Sequence, residues 1–247
     1  RWKIRNMMNP DVIFATPGDS SLRKFTAAAD LAKTQPELFA KNFDGSVNVH
    51  MPNLSNPQTV QIAAAVAEKY FQENPDAGSL GIAPDDGDPR DFNPDTVKLN
   101  QGFSDLEGRP GVAQEMSATE EWIEWINAVT QAVNKVYPDK IITTNGYANR
   151  NMPPFGVKIY PNVSIMFAAI WSYNLHAFDD PKSWQMQRQA QLLQQWCQLN
   201  NKVWIYGYDY VMLVSGLTPV PVTQQLTRDF PLMKKSGVPV VPGYHGD

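Results

Sequence analysis

Short apolar runs recur along this chain, each stopped by a polar or aromatic tip, and helical periodicity fills most of the intervals between them. That alternation narrows the fold more than any other feature. The runs are Val47–Met51, Ser79–Ala83, Ile141–Thr144, Val163–Ile170, Val203–Tyr206 and Val238–Val241. Parallel neighbours need a connection long enough to hold a helix, so strands alternating with helices imply a parallel sheet. Two architectures fit, a (β/α)8 barrel and an open doubly wound sheet. A dinucleotide-type sheet would carry a glycine-rich phosphate turn, and neither G-x-G-x-x-G nor G-x-x-x-x-G-K-[ST] occurs. Several strands, each ending in one or two polar groups, is how barrels build a site. We therefore expect an α/β fold of the (β/α)8 TIM type, forming a single domain over residues 1–247. At least six strands should form its mainly parallel sheet, with Asp85, Tyr147, Trp171 and Asp209 at the same end.

The helices between the runs carry their own signals. Asn56 followed by Pro57 reads as an N-cap and first helical position, with Val60, Ala63, Ala64, Ala67, Tyr70 and Phe71 as the buried stripe. Ser117 and Glu120 read as a capping box before a face of Trp122, Trp125, Ile126, Val129, Val133 and Val136. Asp180 and Pro181 open a helix whose inner face is expected at Trp184, Leu192, Leu193, Trp196 and Leu199. Leu226, Phe230 and Met233 mark a shorter helix that Pro231 should start, kink or end. Residues 1–45 read as an irregular lead-in with one helix near Ser21–Ala32. Residues 85–115 lack periodicity and read as a long loop. Phe92, Val97, Leu99, Phe103 and Leu106 give that loop enough apolar side chains to fold over the mouth of a cleft.

Composition excludes several classes. The 247 residues carry a net charge of −4, and no basic stripe suggests a nucleic-acid partner. No apolar run reaches the ~18 residues of a membrane span. The single cysteine, Cys197, excludes an intrachain disulfide framework and reads as a buried thiol in a helix. Aromatic residues make up 11% of the chain, many at strand ends, where rings with a polar edge suit sugars. The start at Arg1-Trp2-Lys3 and the stop at Gly246-Asp247, directly after a strand-like run, read as a segment of a longer polypeptide, so the barrel can be incomplete.

The stretch Ser79–Gly87 hands a buried run to Pro84, Asp85, Asp86 and Gly87. Residues just past a parallel strand's carboxyl end face the ligand crevice, and two adjacent carboxylates there disfavour each other's ionisation. Asp-Asp-Gly also makes a simple turn, so the pair has a structural reading beside the functional one. Asp85, Asp86, Asp88, Asp91 and Asp95 crowd one loop that could hold Ca²⁺ through oxygen ligands, but the EF-hand glycine and terminal glutamate are missing, so a solvated acidic loop is the favoured reading and no cofactor is expected.

Ser79–Gly87, with Tyr70–Asp76 before it, resembles an uncharacterised bacterial family of glycoside-hydrolase-like proteins, similar at a distance to α-glucuronidases and hexosaminidase-type barrels. Asn53–Pro57, Tyr137–Lys140, Tyr147, Pro161–Val163 and Trp204–Tyr210 extend the resemblance in order, from about Phe39 to the end. The family follows its Pro-Asx-Asp-Gly with Cys-x-x-Cys; here Asp88-Pro89-Arg90-Asp91-Phe92 stands instead, so no role of those cysteines carries over. The resemblance implies a carbohydrate-active protein, an oligo- or polysaccharide partner, an extracytoplasmic location and further domains of the same polypeptide. Glycoside hydrolysis commonly uses two carboxyl groups. Asp86 is the expected acid/base, Asp85 its partner or a sugar-hydroxyl ligand, and Asp209 the second carboxylate. His50, Asn145, Tyr147, Trp171, Tyr173, Tyr208 and His245 are the expected sugar-binding residues; no metal ligand set is assigned. A non-catalytic carbohydrate-binding or structural module on the same barrel is the alternative.

Overall fold

The computed structural model describes residues 29–84, 89–100, 117–169, 175–207, 223–238 and 244–246. Five strands form one parallel sheet: β3 (Ser79–Gly81), β4 (Ile141–Gly146), β5 (Val163–Ala168), β6 (Val203–Gly207) and β7 (Tyr244–Gly246). They lie in chain order, β3-β4-β5-β6-β7, with every neighbouring pair parallel. A doubly wound sheet reverses its strand order at a switch point; the five described strands show no reversal.

Among the described residues six helices accompany the sheet: α1 (Ala29–Thr34), α2 (Pro57–Glu73), α3 (Pro94–Leu99), α4 (Thr119–Asn134), α5 (Trp184–Leu199) and α6 (Thr223–Ser236). Crossovers of one hand between strands in sequence order stack their helices on one face. The register identifies that face. Leu80, Ile142, Val163, Ile165, Phe167, Val203 and Ile205 share it by alternation and pairing, and all join one apolar core with residues of α2, α4 and α5. Trp122 of α4 anchors there by donating its indole N–H to Thr144 Oγ1 at 2.8 Å. Trp122 and Trp196 are both fully buried, and burying such a side chain stabilises by about 1.5–3 kcal/mol.

Gly146 is where α5 meets β4. A Cβ added there would lie 3.4 Å from two carbons of the Trp196 indole and 3.5 Å from Ile165 Cγ2. A branched side chain would push into that ring. Gly146→Val is expected to destabilise by about 1–3 kcal/mol through overpacking, read as a lower urea midpoint at an unchanged slope.

Several expectations need correction. Val47–Pro52 is a strand (β2), but it pairs antiparallel with β1 (Phe39–Lys41) in a separate two-stranded sheet. The parallel sheet therefore has five strands among the described residues, not six, and the expected irregular lead-in supplies the partner strand. A strand is described at Tyr244–Gly246; of the expected run Val238–Val241 only Val238 lies within the described residues, and its N–H donates to Met233 O at the end of α6. A full eight-stranded closure is not seen among the described residues.

The helix starts divide. Asn56 caps α2 as expected, its side chain accepting from Gln58 N at 2.9 Å with Pro57 at the first position. The capping box at Ser117 and Glu120 does not form. The Glu120 carboxylate instead accepts from Phe155 N, from Gly156 N at 3.0 Å and from Val157 N at 3.2 Å. A buried carboxylate surrounded by three loop amides is better satisfied there than at one cap N–H. Trp122, Trp125, Ile126, Val129 and Val133 are buried as expected, whereas Val136 lies past the helix and is exposed. Trp184 and Leu199, expected inside, are exposed at the two ends of α5, and Met186 and Gln189 take inner positions. Pro231 lies inside α6 and neither starts nor ends it, and α3 forms inside the segment read as aperiodic.

Candidate functional site at the carboxyl ends of the parallel strands

The second face of the sheet carries a different population. On β4 it bears Thr143 and Asn145, on β5 Ser164, Met166 and Ala168, and on β6 Trp204 and Tyr206. None belongs to the core shared with the helices, yet Thr143, Asn145, Ser164, Met166, Ala168 and Trp204 are all buried. Pairing arranges them in rows. Thr143 stands beside Ser164, Asn145 beside Met166 and then Trp204, and Ala168 beside Tyr206 and then His245. Tyr147, just past β4, packs with Ala148, Ala168 and Tyr206 at the carboxyl edge. Trp204 Nε1 donates to Ser164 Oγ at 2.6 Å, which links the two lower rows.

The segment after β4 holds this edge together. Residues 147–162 connect β4 to β5 through a 3-10 turn at Ala148–Arg150 instead of an α-helix. Ala148 takes φ +54°, a left-handed conformation that an L-residue adopts at a cost, and the chain doubles back there. Arg150 N then donates to Tyr147 O at 2.9 Å, and the buried guanidinium returns to Asn145 Oδ1, with Nε and Nη2 each at 3.4 Å. Asn151 fastens the turn to the rest of the fold. Its Nδ2 donates to Ala168 O at 3.1 Å, and its carbonyl accepts from Trp196 Nε1 at 2.9 Å.

Among the expected site residues, the described structure brings Asn145, Tyr147 and His245 to one edge of the sheet, His245 by its register beside Tyr206. His50 stands elsewhere, exposed on the β1–β2 ribbon. Asp85, Asp86, Trp171, Tyr173, Tyr208 and Asp209 lie outside the described residues. Tyr206, Trp204 and Arg150 were not expected at the site. Period-two alternation from Tyr208 points back to Tyr206, so that residue was within reach of the sequence; Arg150, which depends on a turn at positive φ, was not.

The loop after β3 is partly described, and its two described acids, Asp91 and Asp95, make structural contacts. Asp91 is fully buried and accepts from Lys41 N at 3.1 Å, Leu54 N at 2.9 Å, Asn93 N at 2.9 Å, Asn93 Nδ2 at 2.6 Å and Thr96 Oγ1 at 2.6 Å. Asp95 pairs with Lys98 on the exposed side of α3, which holds its carboxyl below the usual range. The Asn149 side chain donates to Pro89 O at 3.2 Å, tying this loop to the β4 turn. Asp88 also lies outside the described residues. Among those described, no three His, Cys, Asp or Glu side chains gather closely enough to hold a metal.

Glu121, in the first turn of α4, is fully buried, 3.4 Å from Arg90 Nη2 and 3.1 Å from Asn100 Nδ2. Burial raises its carboxyl above the ordinary value of 4.5; its own backbone N–H, Arg90 and Asn100 oppose that shift, and Asp91 adds to it. A raised folded value means the folded form holds the proton more tightly. That contribution to stability is full below about pH 4.5 and is lost as pH rises through the folded value. Glu121→Gln cannot ionise and is expected to lose less stability than wild type between about pH 4.5 and pH 7, measured by urea unfolding at both pH values. Cys197 is pushed up to about 11 by burial and stays a thiol near neutrality, in keeping with a structural role.

No helix among the described residues is long and apolar enough to cross a membrane. No curated protein and no solved structure gives a significant match to the chain. The family model described as Domain of unknown function (DUF4838) matches residues 5–243, and the chain belongs to that family.

Proposed function

We propose that this protein is carbohydrate-active, a glycoside hydrolase on a (β/α)8-type barrel with its site at the carboxyl ends of the strands. One observation carries the reading. The sheet face turned away from the helices is buried, and its carboxyl edge holds Asn145, Tyr147 and Tyr206, with His245 in register, in place of aliphatic filling. A packed barrel interior needs only branched aliphatic side chains; polar groups at that edge serve a ligand. Rings with polar edges beside an amide suit sugars, which offer apolar C–H faces and a rim of hydroxyls. Strand order without reversal supports the barrel, since a singly wound parallel sheet leaves one face free of helices to curl inward.

In this reading Asp86 donates the proton to the leaving oxygen, Asp85 orients it or binds a sugar hydroxyl, and Asp209 is the nucleophile or base. The resemblance to glycoside-hydrolase-like proteins supports the same assignment and carries with it an extracytoplasmic location and further domains. A hydrolysis screen across a glycan panel, with the full-length protein, tests it. Release of reducing ends from at least one glycan is expected. Binding without hydrolysis on every glycan would leave the non-catalytic module.

A further inference from the structure

Asn145 is only 2% exposed, and its two ends are treated differently. Oδ1 accepts from Arg150 Nε and Nη2, both at 3.4 Å. Nδ2, with two N–H donors, is buried and has no hydrogen-bond partner among the described residues. A guanidinium offers donors alone, so it decides which end of the amide faces it and turns the NH₂ end away. Buried donors in native structures are paired almost without exception, so an orphaned one calls for an acceptor.

We infer that Asn145 is a ligand-binding donor, held in one orientation by Arg150, and that its acceptor is an oxygen on a sugar: hydroxyl, carbonyl or carboxylate. The inference rests on the carbohydrate reading above and adds to it an atom and a positioning residue. Asn145 shares its row with Met166 and, one strand further on, Trp204, and Tyr147 stands two residues further toward the edge on the same face. Arg150, at 1% exposed, also donates through Nη1 to Asn149 Oδ1, which limits its freedom to turn away. The left-handed Ala148 is what returns it to the strand.

The test uses the full chain labelled with ¹⁵N-asparagine, with D-galactose, N-acetyl-D-glucosamine and D-glucuronate as separate probes for the three kinds of oxygen. At least one sugar is expected to shift the Asn145 side-chain NH₂ pair. Asn145→Asp replaces the donor with an acceptor at nearly constant shape and keeps a partner for Arg150; it should weaken that sugar by about tenfold or more. Arg150→Lys should weaken the same sugar under conditions where the variant is still fully folded, because Lys cannot reproduce the two-pronged contact. A sugar that binds without moving the Asn145 pair, and binds Asn145→Asp as tightly as wild type, overturns the subsite and leaves the carbohydrate reading standing. Absence of binding by all three sugars, or water contacts that show the NH₂ pair permanently hydrated, also overturns it. A shift at Asn145 in a protein that hydrolyses no glycan upholds the subsite and removes the hydrolase reading alone.

Discussion

Asp86→Asn is expected to lower hydrolysis of the responsive glycan by about a thousandfold or more, while binding of the same glycan survives. Asparagine keeps the shape of the side chain and removes the proton that the leaving oxygen must receive; general acid catalysis is commonly worth about 10²–10⁴-fold. Kinetics and equilibrium binding on one preparation separate the two effects. If Asp209 is the second carboxyl, Asp209→Asn should also collapse turnover, and the two carboxyl groups should lie ~5–5.5 Å apart for retention or ~6.5–9.5 Å for inversion. Unchanged turnover in Asp86→Asn would remove Asp86 from the mechanism. A protein that unfolds on this substitution would instead favour the turn reading of Asp85-Asp86-Gly87.

Asp91→Ala is expected to destabilise the fold by about 3–5 kcal/mol, which is a large share of the 5–15 kcal/mol that holds an ordinary domain together. Five donors converge on this one buried carboxylate: two backbone N–H groups from β1 and the turn before α2, and three groups from Asn93 and Thr96 at the start of α3. Alanine removes every acceptor at once and leaves those donors to water or to nothing. Phe92 N to Lys41 O, at 2.9 Å, would then hold the segment to the β1–β2 ribbon with much less help. Urea unfolding measures the loss directly. A loss below about 1 kcal/mol would mean that the segment opens and its donors hydrate without disturbing the core.

The sequence alone determined what depends on neighbours close along the chain. The helical stripes of α2 and α4 were legible because a 3.6-residue period places Ala63, Ala67 and Phe71, or Trp122, Ile126 and Val133, on one side whatever the partner is. Asn56-Pro57 was legible for the same reason, as were the apolar runs that became β3 to β6. Tertiary structure decided the rest, where the deciding partner is distant. An isolated strand does not reveal its neighbour, so β2 could not be told from a member of the parallel sheet until β1 paired with it. Alternation put Thr143, Asn145 and Tyr147 on one side of β4, but only Trp122 on Thr144 and Trp196 against Gly146 showed which side the helices take. Asp91 looked like one acid among five, and its donors come from positions up to fifty residues away. Glu120 had the spacing of a cap and went to a loop that offered more N–H groups. Local periodicity fixes which residues can share a face; the packing of distant segments chooses what that face meets, and that choice set the polar edge around Asn145.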